Sequence, residues 1–169
     1  MQKSLTKNSI YNVIYTIANI LFPFATSIYV SRILLPAGVG KVASAQNIVS
    51  YFVTLAALGL PSYGVREFAK VREKKHERNK LFTELLLVNI ISTTLAVVGF
   101  IGLVVANEGF NGQWTLYVAC GLSIVFNYLN IDWMYQGLEE YGYITGRSLL
   151  IKGLSLLALF LFVKTREDY

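Results

Sequence analysis

A chain of 169 residues that is 54% hydrophobic and 15% charged, with a mean hydropathy of +0.51, has too little polar surface to cover a soluble domain. Its net charge of +5 fits a membrane protein with basic loops. One cysteine, Cys120, and one histidine, His76, exclude an intrachain disulfide framework and a Cys/His zinc site, so neither metal nor cofactor is expected.

A bilayer core takes about 20 apolar residues per helix, and five windows supply them: 9–31, 42–60, 81–106, 114–135 and 141–163. The fold class expected is therefore all-α, a polytopic transmembrane helical bundle of about five spans, forming one transmembrane domain over 1–169. The basic start and first apolar run resemble a signal peptide, but that run is too long and too rich in Asn and Tyr, and more spans follow it. Within it Pro23 removes a backbone hydrogen bond and predicts a kink. Gly59 and Pro61 predict the end of the second span. The connections are short, and no stretch between them is long enough for an aqueous domain.

Basic residues stay on the cytoplasmic side of short loops. With the N-terminus inside, the inner segments hold Lys3 and Lys7, then Arg66, Lys70, Arg72, Lys74, Lys75, Arg78 and Lys80, then Arg147 and Lys152. The outer segments hold Arg32, Lys41, Lys164 and Arg166. Eleven against four predicts a cytoplasmic N-terminus. The run "REFAKVREKKHERNK" is read as a topology anchor near anionic headgroups; it has no run of aromatics to stack bases, so no nucleic acid is expected. Five spans leave the C-terminus outside with no closing helix, and the expectation is the N-terminal portion of a longer protein.

Each of the first four spans carries an amide. Asn12, Thr16 and Asn19 step by four and three along one face of a helix. Gln46, Asn47 and Ser50 follow in the second span, Glu84 and Asn89 in the third, Asn127, Asn130 and Asp132 in the fourth. Such groups either hydrogen-bond between helices or line a polar cavity. Asn12, Asn19, Asn47 and Asp132 are the candidates for a cavity or coupling role. In "NIDWMYQGLEEYGYITGR", Trp133, Tyr135, Tyr141 and Tyr143 suggest an interfacial aromatic belt, and Gly137 and Gly142 suggest a tight reversal. No pair of acids is placed for catalysis, and no enzyme activity is expected.

The segments "SRILLPAGVGKVASAQNIVSYF", "LGLPSYGVREFAK", "NIDWMYQGLEEYGYITGRSLLIK" and "FVKTREDY" together resemble the N-terminal part of the polysaccharide biosynthesis protein family, the Wzx-type flippases of O-antigen and related repeat units. The resemblance runs over nearly all of the chain. It implies part of the N-terminal lobe of a two-lobed bundle, in the same superfamily as the multidrug and toxin exporters. It also implies transport of undecaprenyl-diphosphate-linked oligosaccharide across the cytoplasmic membrane of a bacterium. The implied partners are membrane lipid, the lipid-diphosphate-linked glycan, polysaccharide-assembly proteins and the remaining half of the transporter. Leu35 departs from the family, which commonly has Gly before the Pro of the first loop.

A diphosphate crossing about 30 Å of hydrocarbon needs a cationic passage. By position the substrate-binding candidates are Arg32, Arg66, Arg147 and Lys152, and Lys152 stands out because it interrupts an apolar helix, although snorkelling to headgroups is the alternative reading for it. Asp132 is a candidate for an ion pair or a coupling proton, and Glu139 for a latch to Arg147 or Arg66. Two other functions remain on the sequence: export of organic cations, which favours acids in the cavity, and a non-transporting membrane scaffold for polysaccharide assembly.

Overall fold

The computed structural model describes residues 5–107, 110 and 112–165, with side chains from Asn8 onward. Lys3, Arg166, residues 108, 109 and 111 of the "NEGFNGQ" loop and the end of "FVKTREDY" lie outside the described residues. The described chain is helical, with no strand: α1 Leu5–Ala57, α2 Leu60–Lys70, α3 Lys75–Ala106, α4 Trp114–Phe126, a 3-10 turn Asn127–Leu129, α5 Asp132–Gly137 and α6 Tyr141–Phe162. Three of these helices are long and apolar enough to cross a membrane, and Trp114–Leu129 forms a shorter apolar stretch. The chain is an all-α, multi-pass membrane protein.

At 1.5 Å per residue the 53 residues of α1 measure about 80 Å, far beyond one bilayer. The dihedrals break at Leu35 (φ 58°, ψ 172°), the residue before Pro36, where a proline ring disfavours the α region. The two lengths, 5–34 and 36–57, are each about a bilayer thick. The break at Leu35 falls between the first two apolar windows, and Pro23 lies inside the first length of the helix.

The chain divides into two compact units, Val42–Leu138 and the segments before Lys41 and after Glu139. In the terminal unit the first length of α1 packs on α6. Along α1 the half-buried residues are Tyr11, Tyr15, Ala18, Phe22, Thr26 and Tyr29, and along α6 they are Ser148, Lys152, Leu156, Leu159 and Val163, both at the three- and four-residue steps of a helix seam. The Thr145 hydroxyl donates to Tyr11 O (3.0 Å), Tyr29 Oη to Val163 O (3.0 Å), and Tyr29 stacks edge-on against Phe160 at 4.6 Å. Contacts rise together along both helices, so they run parallel, which suits the first and last of five alternating spans.

In the central unit, residues 42–57 and α3 are antiparallel, with the Ser92 hydroxyl donating to Ala56 O at 2.6 Å and Phe52 against Phe100 at 5.4 Å. α3 and α4 are antiparallel too. Phe100 sits where a Cβ on Gly121 would come within 2.4 Å of its ring, and Ala45, Val49, Ala96 and Ile124 fill the same core. A second core joins α2 to α5 through Phe68, Trp133, Leu60 and Leu85. Gly64 and Gly137 let them touch: a Cβ would meet the Trp133 ring at 2.8 Å at the first and the Phe68 Cβ at 2.5 Å at the second.

Two readings of the 130–147 stretch change. Trp133 is 2% exposed and belongs to this core rather than to a surface belt, and its indole N–H donates to Asn130 O (2.9 Å). The reversal after α5 puts its positive φ on Glu139 (57°) and not on a glycine. Helix α2 is an element where the sequence reading expected a plain connection. Its 11 residues are too few to span a bilayer.

Candidate functional site

The terminal unit brings two of the expected residues together. Lys152 Nζ donates to Asn19 Oδ1, and the ammonium lies 5.8 Å from the Tyr15 ring centroid and 5.9 Å from that of Phe22. Helical spacing explains the cradle, because Tyr15, Asn19 and Phe22 are four and three apart and fall on the stripe that meets α6. An ammonium has three donors and no acceptor. Asn19 takes one, aromatic faces attract the charge, and two N–H groups remain to meet an anion.

Asn12 is exposed about two turns before Asn19 on α1, and its carbonyl accepts the Thr16 hydroxyl (2.9 Å). Arg32 is exposed near the end of the first length of α1, and Arg147 is half-buried on α6, five residues before Lys152. Glu139 is half-buried in the strained turn.

The central unit holds Arg66, Asn47 and Asp132. Arg66 donates through Nε to Glu67 (3.1 Å) and stands 5.6 Å from the Tyr63 ring. Lys70 also donates to Glu67, at 2.9 and 3.1 Å, and that bond, ahead of the Arg66 contribution, holds the Glu67 carboxyl below its ordinary range. Asp132 opens α5 and is half-buried, a position where the helix dipole favours an acid. Asn47 is exposed. Its neighbour Gln46 lines an open groove of about 690 Å³ between residues 42–57 and α4, with Ser50, Thr54, Cys120, Ser123 and Phe126.

The polar centre that the site candidates missed lies where α4 loosens into its 3-10 turn. Asn89 Nδ2 donates to Asn127 O (3.0 Å), Asn127 Nδ2 donates to Asn89 Oδ1 (3.0 Å) and Thr93 Oγ1 (2.9 Å), and Asn130 Nδ2 reaches Asn127 Oδ1 (3.4 Å). Asn89, Thr93 and Asn127 are at most 5% exposed. The Asn127 carbonyl accepts the Asn130 N–H of the 3-10 turn (3.1 Å), and the Asn89 amide gives it a second bond where lipid offers no water. The i, i+4 step from Asn89 to Thr93 was the available signal. This buried network ties α3 to the end of α4 and serves as interhelical glue.

The family model described as "Polysaccharide biosynthesis protein" matches residues 5–169. A protein of Escherichia coli (strain K12) named "Putative O-antigen transporter" is 22% identical over 165 residues, covering 98% of this chain and 40% of its own length. A protein of the same name from Shigella dysenteriae is 26% identical over 155 residues, covering 89% of this chain and 38% of its own. The chain thus spans about two-fifths of the length of these curated relatives. No solved structure matches.

Proposed function

Because the chain belongs to the polysaccharide biosynthesis protein family, we propose that it works as part of a membrane flippase that moves a lipid-diphosphate-linked oligosaccharide to the outer leaflet, with Lys152 meeting the phosphate. The observation that carries this reading is the cradle of Lys152: a cation well inside an apolar helix, held by Asn19 and two aromatic rings.

A lysine that merely snorkels extends toward headgroups. This one is fixed across a helix seam, which keeps its side chain from wandering and leaves donors to offer. Desolvated surroundings strengthen the attraction between an ammonium and a phosphate. In the unit that holds Lys152, Arg147 and Arg32 supply further positive charge and Asn12 polar surface for the glycan; in the central unit Arg66, Asn47 and Asp132 are the candidates for charge, polar surface and a coupling proton. Glu139 would latch the cytoplasmic turn. The membrane is the cytoplasmic one, with the N-terminus inside, and the basic balance favours an anionic cargo over an organic cation.

The test is transport by the complete polypeptide carrying this chain, in bacterial cells lacking their own O-antigen transporter. Wild type restores surface polysaccharide. Lys152→Gln is expected to lower it about tenfold or more, the loss of one charged hydrogen bond of about 1.5–3 kcal/mol, while lipid-linked repeat units accumulate on the cytoplasmic face. Normal surface polysaccharide in the well-expressed variant would overturn the reading.

A further inference from the structure

Between α2 and α3 the chain makes a four-residue turn whose side chains enclose a cleft of about 340 Å³ lined by Ala69, Lys70, Arg72, Glu73 and Lys74. We propose that this turn is a binding site for the phosphate headgroup of an anionic phospholipid of the surrounding membrane, apart from any path the transported molecule takes.

Three observations carry it. The first is charge: the cleft presents three cations against the one carboxylate of Glu73, and the flanking stretch 66–80 adds Arg66, Lys75, Arg78 and Lys80 against Glu67 and Glu77. The second is construction. Arg72 is tied to the end of α5 by its Nη2–H to Gly137 O (3.4 Å), while its own carbonyl accepts Arg78 Nη1 (3.5 Å), so the turn is held open. Lys70 and Lys74 stand on either side, resting on Glu67 (2.9 Å) and Glu77 (3.0 Å). Exposed pairs of this kind hold little energy and exchange readily for a phosphate.

Depth is the third. Helix α3 begins at Lys75 and its apolar run at Leu81, so six residues, about 9 Å, stand outside the hydrocarbon. The headgroup layer is about 5–8 Å thick on each face, which puts the turn at its outer edge, within reach of lipid phosphates for long Lys and Arg side chains. Helix α2 turns Phe68 and Leu60 to the protein core and Arg66 and Lys70 outward, so its basic face continues that of the turn.

The experiment uses the complete polypeptide in detergent, with native mass spectrometry counting bound phosphatidylglycerol against phosphatidylcholine. Lys70→Gln/Lys74→Gln removes two cleft cations, and Lys75→Gln/Lys80→Gln removes two from the same segment outside the cleft. Both pairs are exposed, and a melting curve checks that each variant is folded. Wild type is expected to retain phosphatidylglycerol selectively, the cleft double variant to lose it about fivefold per charge, and the control double variant to keep most of it. Equal loss in both doubles would mean diffuse attraction to a basic segment and would overturn the site, as would no loss in the first. Displacement by glycerol phosphate as effective as by the lipid would assign the cleft to a soluble anion and overturn it too. Lipid retention is read without transport, so the outcome is independent of the flippase reading.

Discussion

Leu35 is a side chain in a conformation that suits glycine. Its φ of 58° with ψ of 172° falls where a Cβ collides with the backbone, a region that costs a non-glycine residue about 1–3 kcal/mol. Replacing it with glycine relieves that strain and adds about 0.5–1 kcal/mol of backbone entropy cost. Leu35→Gly should therefore stabilise the protein by about 1 kcal/mol, read as a higher melting temperature in detergent, whereas a lower one would show that the exposed leucine side chain is doing something at the break. Gly64 presents the opposite case. The Trp133 ring leaves 2.8 Å for a Cβ there, and both flanking elements are fixed by core contacts, so Gly64→Ala should destabilise by about 1–3 kcal/mol, the usual cost of overpacking. Unchanged thermal stability would mean that α2 slides freely on α5.

At the scale of elements, how α4 ends is decided by one amide pair. Asn127 closes two bonds with Asn89 and one with Thr93 at the point where regular helix gives way to a 3-10 turn. Asn127→Ala removes the side-chain bonds and leaves the Asn89 carbonyl oxygen buried, and bonds between membrane helices are typically about 0.6 and at most about 1.7 kcal/mol each. We expect a loss of about 1–2 kcal/mol, with faster hydrogen exchange confined to 127–131, and exchange rates like wild type would contradict the role given to the network. Much of the element pattern was legible in the sequence, because apolar windows of bilayer length announce themselves. The break at Leu35 falls in the connection left between the windows 9–31 and 42–60, and the helix continues on either side of it through residues that read in the sequence as a plain connection. Helix α2 was hidden because its apolar face, Leu60, Gly64 and Phe68, is too short and too interrupted by charge to register as a span. Trp133 was read as a belt residue because nothing local in the sequence reveals that two glycines, Gly64 and Gly137, would make room for an inter-helix core.

Across the molecule, the parallel run of α6 on the first length of α1 is the strongest internal statement about topology, and it is what five alternating spans would require. The excess of Lys and Arg in 66–80 makes a testable prediction of sidedness. In a Cys120→Ser background, Lys75→Cys is expected to react with a membrane-impermeant thiol reagent from the cytoplasmic side alone, and Gln113→Cys from the outer side alone. Reaction of both from one side would undo the assignment. The site was partly legible at this scale: Asn19 and Lys152 were each marked by polarity in an apolar helix, but their pairing across 133 residues needs the fold. Arg66, by contrast, is engaged by its neighbour Glu67, a local pairing within α2.

Whether Lys152 is the group that meets phosphate is decided by the affinity of the purified complete polypeptide for an undecaprenyl-diphosphate-linked glycan, compared among wild type, Lys152→Arg and Lys152→Gln. Charge and donors survive in the first variant and vanish in the second. Binding should be kept within about threefold by arginine and weakened about tenfold or more by glutamine, the measure of one charged hydrogen bond lost. Equal affinity in all three proteins would contradict the assignment of Lys152 and return it to a structural tie with Asn19.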